Sequence, residues 1–260
     1  MKLSAADHQA LRSVGFTPLG PVFGNHVRRA AVGWLPCGPD VSPVLRQEDG
    51  LAKAVDDALI RLMHMSPDAD GVIGIRVTEE PFGRGSEVSL TGVAVRADGA
   101  VRPGIRFLTH LGGADFAKLL HGGWVPCGLA VGVAAVAVHR VEMPRTIELA
   151  MSNRELPQPT EVLNRVQLRA RAHLSAECGL LGGAGVVMGQ MDVRVREPHC
   201  WLANLRPPLQ FQFPWSPPLE NEKQWHGRDI YAEAVFTATA ITPFRAPAVA
   251  PLTIMPVGDR

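Results

Sequence analysis

The sequence predicts an α+β protein in which one small unit occurs twice in tandem. Three observations support this prediction: a repeated glycine-aromatic-x-proline-x-glycine motif, a long helix pattern after each motif, and an alternating apolar pattern that closes each copy. Each predicted unit contains a short helix, a long strand, a long helix and two further strands. The first unit spans residues 1–103 and the second spans 104–245, followed by an Ala/Pro-rich tail at 246–260.

The repeated motif joins the short helix of each copy to its long strand. It reads Gly15-Phe16-Thr17-Pro18-Leu19-Gly20 in the first copy and Gly123-Trp124-Val125-Pro126-Cys127-Gly128 in the second. Ser4 is placed to cap the first short helix, with Asp7 at its third position. The first glycine of each motif suits the left-handed conformation that ends a helix, and the proline favours an extended backbone before it.

A long amphipathic helix follows in both copies. In the first copy its apolar stripe is Leu51, Val55, Ala58, Leu59, Leu62 and Met65. In the second copy the stripe is Val162, Val166, Ala170 and Leu174. This spacing puts each set on one face of a helix. Thr160 is predicted to cap the second long helix, and Gly179 is predicted to end it.

Two strands complete each predicted unit. A glycine-rich strand follows the long helix at residues 69–75 in the first copy and at 183–188 in the second. The last strand alternates apolar and polar side chains, at residues 87–95 and 233–241. The two copies therefore share one order of elements.

This order of elements resembles the YbjQ-like family, which is labelled as a heavy-metal-binding domain family. The resemblance rests on Asp68-Ala69-Asp70-Gly71-Val72-Ile73-Gly74-Ile75 and on Leu90-Thr91-Gly92-Val93-Ala94-Val95, with Gly183-Ala184-Gly185-Val186-Val187 as the weaker counterpart. It implies two fused YbjQ-like units that assemble into ring-like homo-oligomers, pentamers in particular. It also implies a heavy-metal-binding function.

Composition excludes several classes of protein. The net charge is +1 and the basic residues are scattered, which argues against nucleic-acid binding. The 4 cysteines contain no CxxC pair and are expected to be reduced thiols in a cytoplasmic protein without an export signal. No nucleotide loop, GxSxG or HExxH motif occurs, so we expect no enzyme activity.

The most apolar segment of the chain lies at residues 123–138. It is shorter than the roughly 20 apolar residues that a membrane-spanning helix needs, and Pro126 interrupts its start. Its Val, Gly and Ala content is typical of a strand that is covered on both faces. One small unit cannot cover both faces, so we expect a neighbouring copy or subunit to cover the second one.

The second copy contains an insertion at residues 196–228 that the first copy lacks. Its aromatic residues are predicted to cover the sheet as a lid or to bind a partner or second subunit, with shallow membrane contact as a third reading. These residues are Trp201, Phe211, Phe213, Trp215 and Trp225. His199, Cys200 and His226 lie in the same stretch and form the predicted metal site, with His26 and Cys37 as a second pair.

Together these observations predict a non-enzymatic, ring-forming homo-oligomeric assembly or interaction protein without a cofactor. Its expected partners are further copies of itself and a protein that binds through residues 198–228. A heavy-metal-binding protein, with a transition metal as cofactor, is the first alternative. A small-molecule enzyme with its site between the two repeats is the second. The protein is expected to be cytoplasmic, without a transmembrane segment and without nucleic acid.

Overall fold

The structure is a computed structural model that describes residues 3–28, 42–82, 85–99, 103–138, 157–196 and 230–244. In this part of the chain the elements follow one another as α1 (Ala5–Ser13), β1 (Phe16–Arg28), α2 (Ser42–His64), β2 (Gly71–Phe82), β3 (Gly85–Ala97), β4 (Phe107–Leu108), α3 (Gly113–His121), β5 (Trp124–Val138), α4 (Pro157–Leu180), β6 (Gly185–Arg196) and β7 (Ile230–Pro243). The predicted α+β class is confirmed. Helix, strand, long helix, strand and strand occur twice in the same order.

The strands form two sheets. The first sheet has the order β1-β3-β2-β4 and the second has the order β5-β7-β6. All neighbouring strands are antiparallel except β2 and β4, which pair in parallel at Gly71 and Phe107. Strand β4 was not expected from the sequence. It follows the predicted boundary at residue 103 and extends the first sheet.

The short helices end and begin as the sequence predicts. Ser4 caps α1, and Asp7 closes a reciprocal capping box with it. Gly15 and Gly123 follow α1 and α3 in the left-handed region, with φ angles of 76° and 81°. Because only glycine adopts this conformation without strain, these residues turn the chain from helix into strand.

The ends of α4 differ from the prediction. Thr160 lies inside the helix, which begins at Pro157, because a proline is tolerated in the first turn where backbone N–H groups have no intrahelical partner. The helix does not stop at Gly179. Instead Gly182 has a φ of 71° and Gly183 donates its N–H to the Cys178 carbonyl, which is the hydrogen bond of a Schellman motif.

Strand β5 is buried between the two long helices. Ala130 and Ala134 face α4 and join the core of the second repeat. Leu129 and Val133 face the opposite way and join the core that α2 forms with the first sheet. The expectation of a strand covered on both faces is therefore confirmed. The second cover comes from the first repeat of the same chain, so the apolarity of β5 requires no second subunit.

The outer edge of β5 is closed by side chains from both helices. Glu48 of α2 accepts a hydrogen bond from the Ala135 N–H at 3.0 Å and pairs with Arg169 of α4 at 3.0 Å. Arg169 donates to the Ala135 carbonyl, and His173 lies 2.6 Å from the Val133 carbonyl oxygen. These contacts satisfy backbone groups that would otherwise offer an edge to another strand.

The face of each sheet opposite its own long helix is here called its back face. Helices α1 and α3 cover one end of the back face of the first sheet, above Ile73 and Val93. Phe16 and Phe116 meet there edge to face, with ring centroids 5.2 Å apart. In the described residues, no helix is long and apolar enough to span a membrane.

Two glycines let the long helices approach their strands closely. A Cβ at Gly24 would lie 2.0 Å from the Ala58 carbonyl oxygen, and one at Gly132 would lie 2.1 Å from that of Ala170. At both positions the strand lies against the backbone of a helix, and that backbone cannot move aside to make room for a side chain. Glycine is therefore required at these positions for packing, although neither has a left-handed backbone.

We expect Gly132→Ala to lower the free energy of unfolding by about 1–3 kcal/mol, the range typical of overpacked cores. Urea denaturation of the purified protein measures this change. Gly50→Ala in α2 is the matched control, since a Cβ there meets nothing within 4 Å. The control is expected to keep or raise stability by up to about 1 kcal/mol because alanine favours a helix. Equal stability of Gly132→Ala and the native protein would contradict the packing described.

Candidate functional site

The predicted site residues lie outside the described part of the chain. Residues 197–229 contain the predicted metal ligands His199, Cys200 and His226. They also contain the predicted interaction residues Trp201, Phe211, Phe213, Trp215 and Trp225. These assignments stay predictions.

The described residues contain no group of three His, Cys, Asp or Glu side chains that could hold a metal ion. His26, which the sequence paired with Cys37, lies beside Asp57 instead, with its Nδ1 3.3 Å from the carboxylate. Cys37 lies outside the described residues. Cys127 and Cys178 are free, and burial raises the pKa of both thiols. The described residues therefore contain no preformed binding site for a soft metal ion.

A buried polar cluster joins the two repeats. Arg28 of β1 donates to Glu79 of β2 at 2.7 Å and to Glu233 of β7 at 3.1 Å. Arg194 of β6 pairs with the other oxygen of Glu79 at 3.2 Å, and Tyr231 donates its hydroxyl to Glu233 at 2.6 Å. The set Arg28, Glu79, Ser86, Arg194, Tyr231 and Glu233 is called the interface cluster below.

Charges within the interface cluster shift its pKa values. Burial acts to raise the pKa of Glu79, but hydrogen bonds from Ser86 and the charges of Arg28 and Arg194 outweigh it, so the pKa is lowered. Burial acts to lower the pKa of Arg28, but the two glutamates raise it overall. Burial and the Glu233 charge raise the pKa of Tyr231, which stays a neutral donor. Removing one member of such a cluster leaves an uncompensated buried charge.

A second polar contact joins the two sheets at the other end of the same interface. The hydroxyls of Thr109, which follows β4, and Thr239 of β7 lie 2.7 Å apart. Thr239 also lies 2.8 Å from Nδ1 of His110, and a hydrogen bond links His110 to the Met188 backbone. Burial lowers the pKa of His110, although the Met188 bond and Asp115 act in the opposite direction. The segment between β4 and α3 is thus tied to the second sheet.

Beside this contact is an open cleft with a volume of about 550 Å³, on the second repeat. Its polar side chains are His110, Asp115 and Lys118, and Trp124 and Val187 line its apolar side. Asp115 is exposed and paired with Lys118 at 3.0 Å, while His110 is held by Thr239. These groups do not form a nucleophile with an adjacent base, so within the described residues the cleft does not support the predicted enzyme alternative.

The back face of the first sheet exposes three large apolar side chains away from α1 and α3. Phe23 and Val27 stand on the edge strand β1, and Phe82 stands at the end of β2. Their neighbours on this face include Thr91 and Glu87, the partners of Phe23 and Val27 in β3. Phe23, Val27 and Phe82 are called the β1 patch below.

The second sheet exposes an apolar row on its edge strand. Val186, Met188, Met191 and Val195 lie on the α4 side of β6 and are called the β6 patch below. Helix α4 packs mainly on β5 and β7 and leaves this row uncovered. The layers of the molecule are stacked in the order first sheet, α2, second sheet and α4. The β1 patch faces outward at one end of this stack, and the β6 patch faces outward at the other.

Sequence reasoning missed both patches. The predicted strand ended at residue 188, so Met191 and Val195 were not placed on it. The signal was present, because Met191, Val193 and Val195 alternate with charged side chains. The sequence alone could not show that these residues are exposed, since the counterpart strand β2 has a similar pattern and is buried.

Comparison with known proteins shows similarity to a nanocompartment protein. The chain is 27% identical over 202 residues to the encapsulin nanocompartment protein Rv1762c of Mycobacterium tuberculosis. The match covers 71% of this chain and 74% of the relative. No protein-family model matches the sequence. No solved structure matches it either.

This relative contradicts the function predicted from the sequence. We predicted a ring-forming assembly or interaction protein of unknown role, with heavy-metal binding as the first alternative, and the relative is named as a nanocompartment protein. The YbjQ-like and heavy-metal-binding terms conflict with this finding. They rested on an order of helices and strands, and one order of elements supports many unrelated functions.

The interface cluster yields a pH-dependent prediction. Because the folded-state pKa of Glu79 is lowered, its stabilisation is complete above its ordinary value of 4.5 and is lost as the pH falls through the folded value. Glu79→Gln is expected to cost about 3–5 kcal/mol of unfolding free energy at pH 7. It should also make stability less dependent on pH in the acid range.

Chemical denaturation at a series of pH values measures both effects. Glu80→Gln, at the next and exposed position of β2, is the matched control and should change stability by no more than about 0.5 kcal/mol. A Glu79→Gln protein with the native acid dependence would show that the interface cluster does not hold Glu79 ionised.

Proposed function

We propose that this chain is a structural subunit that assembles with further copies of itself into the shell of a protein compartment. The similarity to an encapsulin nanocompartment protein over 71% of the chain carries the proposal. At this identity the relative suggests a class of assembly and transfers no residue roles. The proposal keeps the non-enzymatic, cytoplasmic character expected from the sequence.

The surface of the chain supports self-assembly. The β1 patch and the β6 patch each expose several large apolar side chains on one face of a sheet, and exposed apolar surface of this kind can mark a protein–protein contact. They lie at the two ends of the layered stack, so one chain can contact a neighbour on each side. A subunit with two such surfaces is suited to building extended assemblies.

The rigid joint between the repeats also supports a structural role. The interface cluster, the Thr109–Thr239 contact and the burial of β5 fix the two repeats against each other. A shell subunit has to hold the angle between its contact surfaces. Partner binding through residues 198–228 stays a separate prediction of the sequence.

Multi-angle light scattering and negative-stain electron microscopy of the purified protein test this function. We expect particles of one defined size, many times the 28.0 kDa mass of one chain, with a hollow interior. A chain that stays at 28.0 kDa at micromolar concentration would contradict the proposal. Solid or unbounded aggregates would contradict it as well.

A further inference from the structure

The two repeats match each other residue by residue in strand register. Phe16 pairs with Ala97 at the start of β1, and Trp124 pairs with Pro243 at the start of β5. Both strands then carry an irregularity two residues later, between Pro18 and Gly20 and at the corresponding Pro126 and Gly128. The registers therefore define which positions of the two sheets are equivalent.

The face of each sheet that carries its own long helix is here called its helix side. Within the chain, the helix side of the first repeat covers the back face of the second sheet. Leu129 and Val133 of β5 pack into the core that contains Val55 of α2 and Val72 and Val77 of β2. The same two kinds of surface exist once more on the molecule. They are the helix side of the second repeat and the back face of the first sheet, where no described element packs on the β6 and β1 patches.

The exposed patches occupy the positions that this internal contact buries. Val186 and Met191 of β6 correspond to Val72 and Val77 of β2, since their partners in β7 and β3 correspond. Val72 and Val77 are 4% and 5% exposed, whereas Val186 and Met191 are 46% and 56% exposed. The difference is the presence of the neighbouring repeat and not the chemistry of the side chains.

The β1 patch shows the same relation. In the first sheet, Phe23 pairs with Thr91 and Val27 pairs with Glu87. In the second sheet, the corresponding pairs are Val131 with Thr237 and Ala135 with Glu233. In the second sheet, Val131 packs against the first-repeat core and Ala135 is buried. Phe23 is 58% exposed on the first sheet.

We propose that the contact between the repeats is repeated between chains, so that the β6 patch of one copy covers the β1 patch of a second copy. This inference rests on the proposed self-assembly and names the surfaces that perform it. The occupant is a second copy because the internal interface of this chain already shows how such a helix side and such a back face pack. One contact would cover both patches.

The contact between chains differs from the internal one in its polarity. In the second repeat, Val136 occupies the position of Arg28, and Val193 occupies the position of Glu79. The helix side of the second repeat therefore has no counterpart of these two charged members of the interface cluster. Glu87, which corresponds to Glu233, is hydrogen-bonded within its own sheet to Asn25 at 3.0 Å. On the back face of the first sheet, Glu80 and Glu87 stand where Arg194 and Glu233 stand in the second. The contact between chains therefore joins an apolar row to a face that also carries two carboxylates.

A head-to-tail contact of this kind joins two different surfaces. A chain that has lost one surface can still use the other, whereas a contact between identical surfaces would be lost or kept as a whole. Met191→Asp removes the β6 patch and keeps the β1 patch. Phe23→Lys does the opposite.

Native mass spectrometry and light scattering of these two variants test the inference. Each variant alone is expected to have the mass of a single chain. An aspartate at position 191 is repelled by the carboxylates of Glu80 and Glu87 on the next chain, and a lysine at position 23 buries a charge among the apolar side chains of the β6 patch. Mixed in equal amounts, they should form a dimer that contains one chain of each kind. Ile105→Lys, at an exposed position outside the patches and outside α4, is the control and should assemble like the native protein.

The outcomes separate this inference from the proposed function. If the native chain assembles and either patch variant assembles equally well, the head-to-tail contact is wrong while self-assembly stands. The same holds if the mixture gives no mixed dimer, provided that the circular dichroism and melting temperature of each variant are native. If the native chain stays a monomer, the proposed function and this inference both fail.

Discussion

The burial of strand β5 between two helices is the constraint on which the rest of the structure depends. Its alanines and Gly132 let α4 approach one face to backbone contact, and Leu129 and Val133 fill the other face against α2. Neither repeat can complete this packing by itself. The chain therefore forms one layered body whose two sheets are held in a fixed relation.

Two units with the same order of elements have different surroundings in this structure. The first repeat buries its helix side against the second, and it adds β4 and the interface cluster to that contact. No described element covers the same positions of the second repeat, and they lie on its surface as the β6 patch. A tandem pair of this kind has one satisfied contact inside and one unsatisfied contact at each end, which is the arrangement expected of a subunit that joins others.

Local features of the fold could be predicted from the sequence. The Ser4 cap, the left-handed glycines 15 and 123, the order of the elements and the apolar stripes of the long helices all depend on neighbours within a few residues. The start of α4 was misplaced because proline is both a helix breaker and a good first-turn residue. Strand β4 has only two residues and no periodicity of its own, so its pairing with Gly71 had no local signal.

The candidate site could not be predicted because it depends on contacts between distant parts of the chain. Arg28 and Glu233 are ordinary charged residues in the sequence and become a buried pair only when two sheets meet. Val77 and Met191 look alike in the sequence and differ only in what covers them. The predicted metal ligands and aromatic residues at 199–226 lie in a segment that the structure does not describe, so they contribute nothing to this account.

Electron cryo-microscopy of the assembled particle tests the central claim most directly, namely that chains join through the contact that already joins the repeats. The account predicts that β6 of one subunit lies on the back face of the first sheet of the next. It also predicts that this pair of surfaces superimposes on the internal contact between the repeats. A particle in which β6 meets β6 across a two-fold axis, or in which Phe23 and Met191 face solvent, would contradict it.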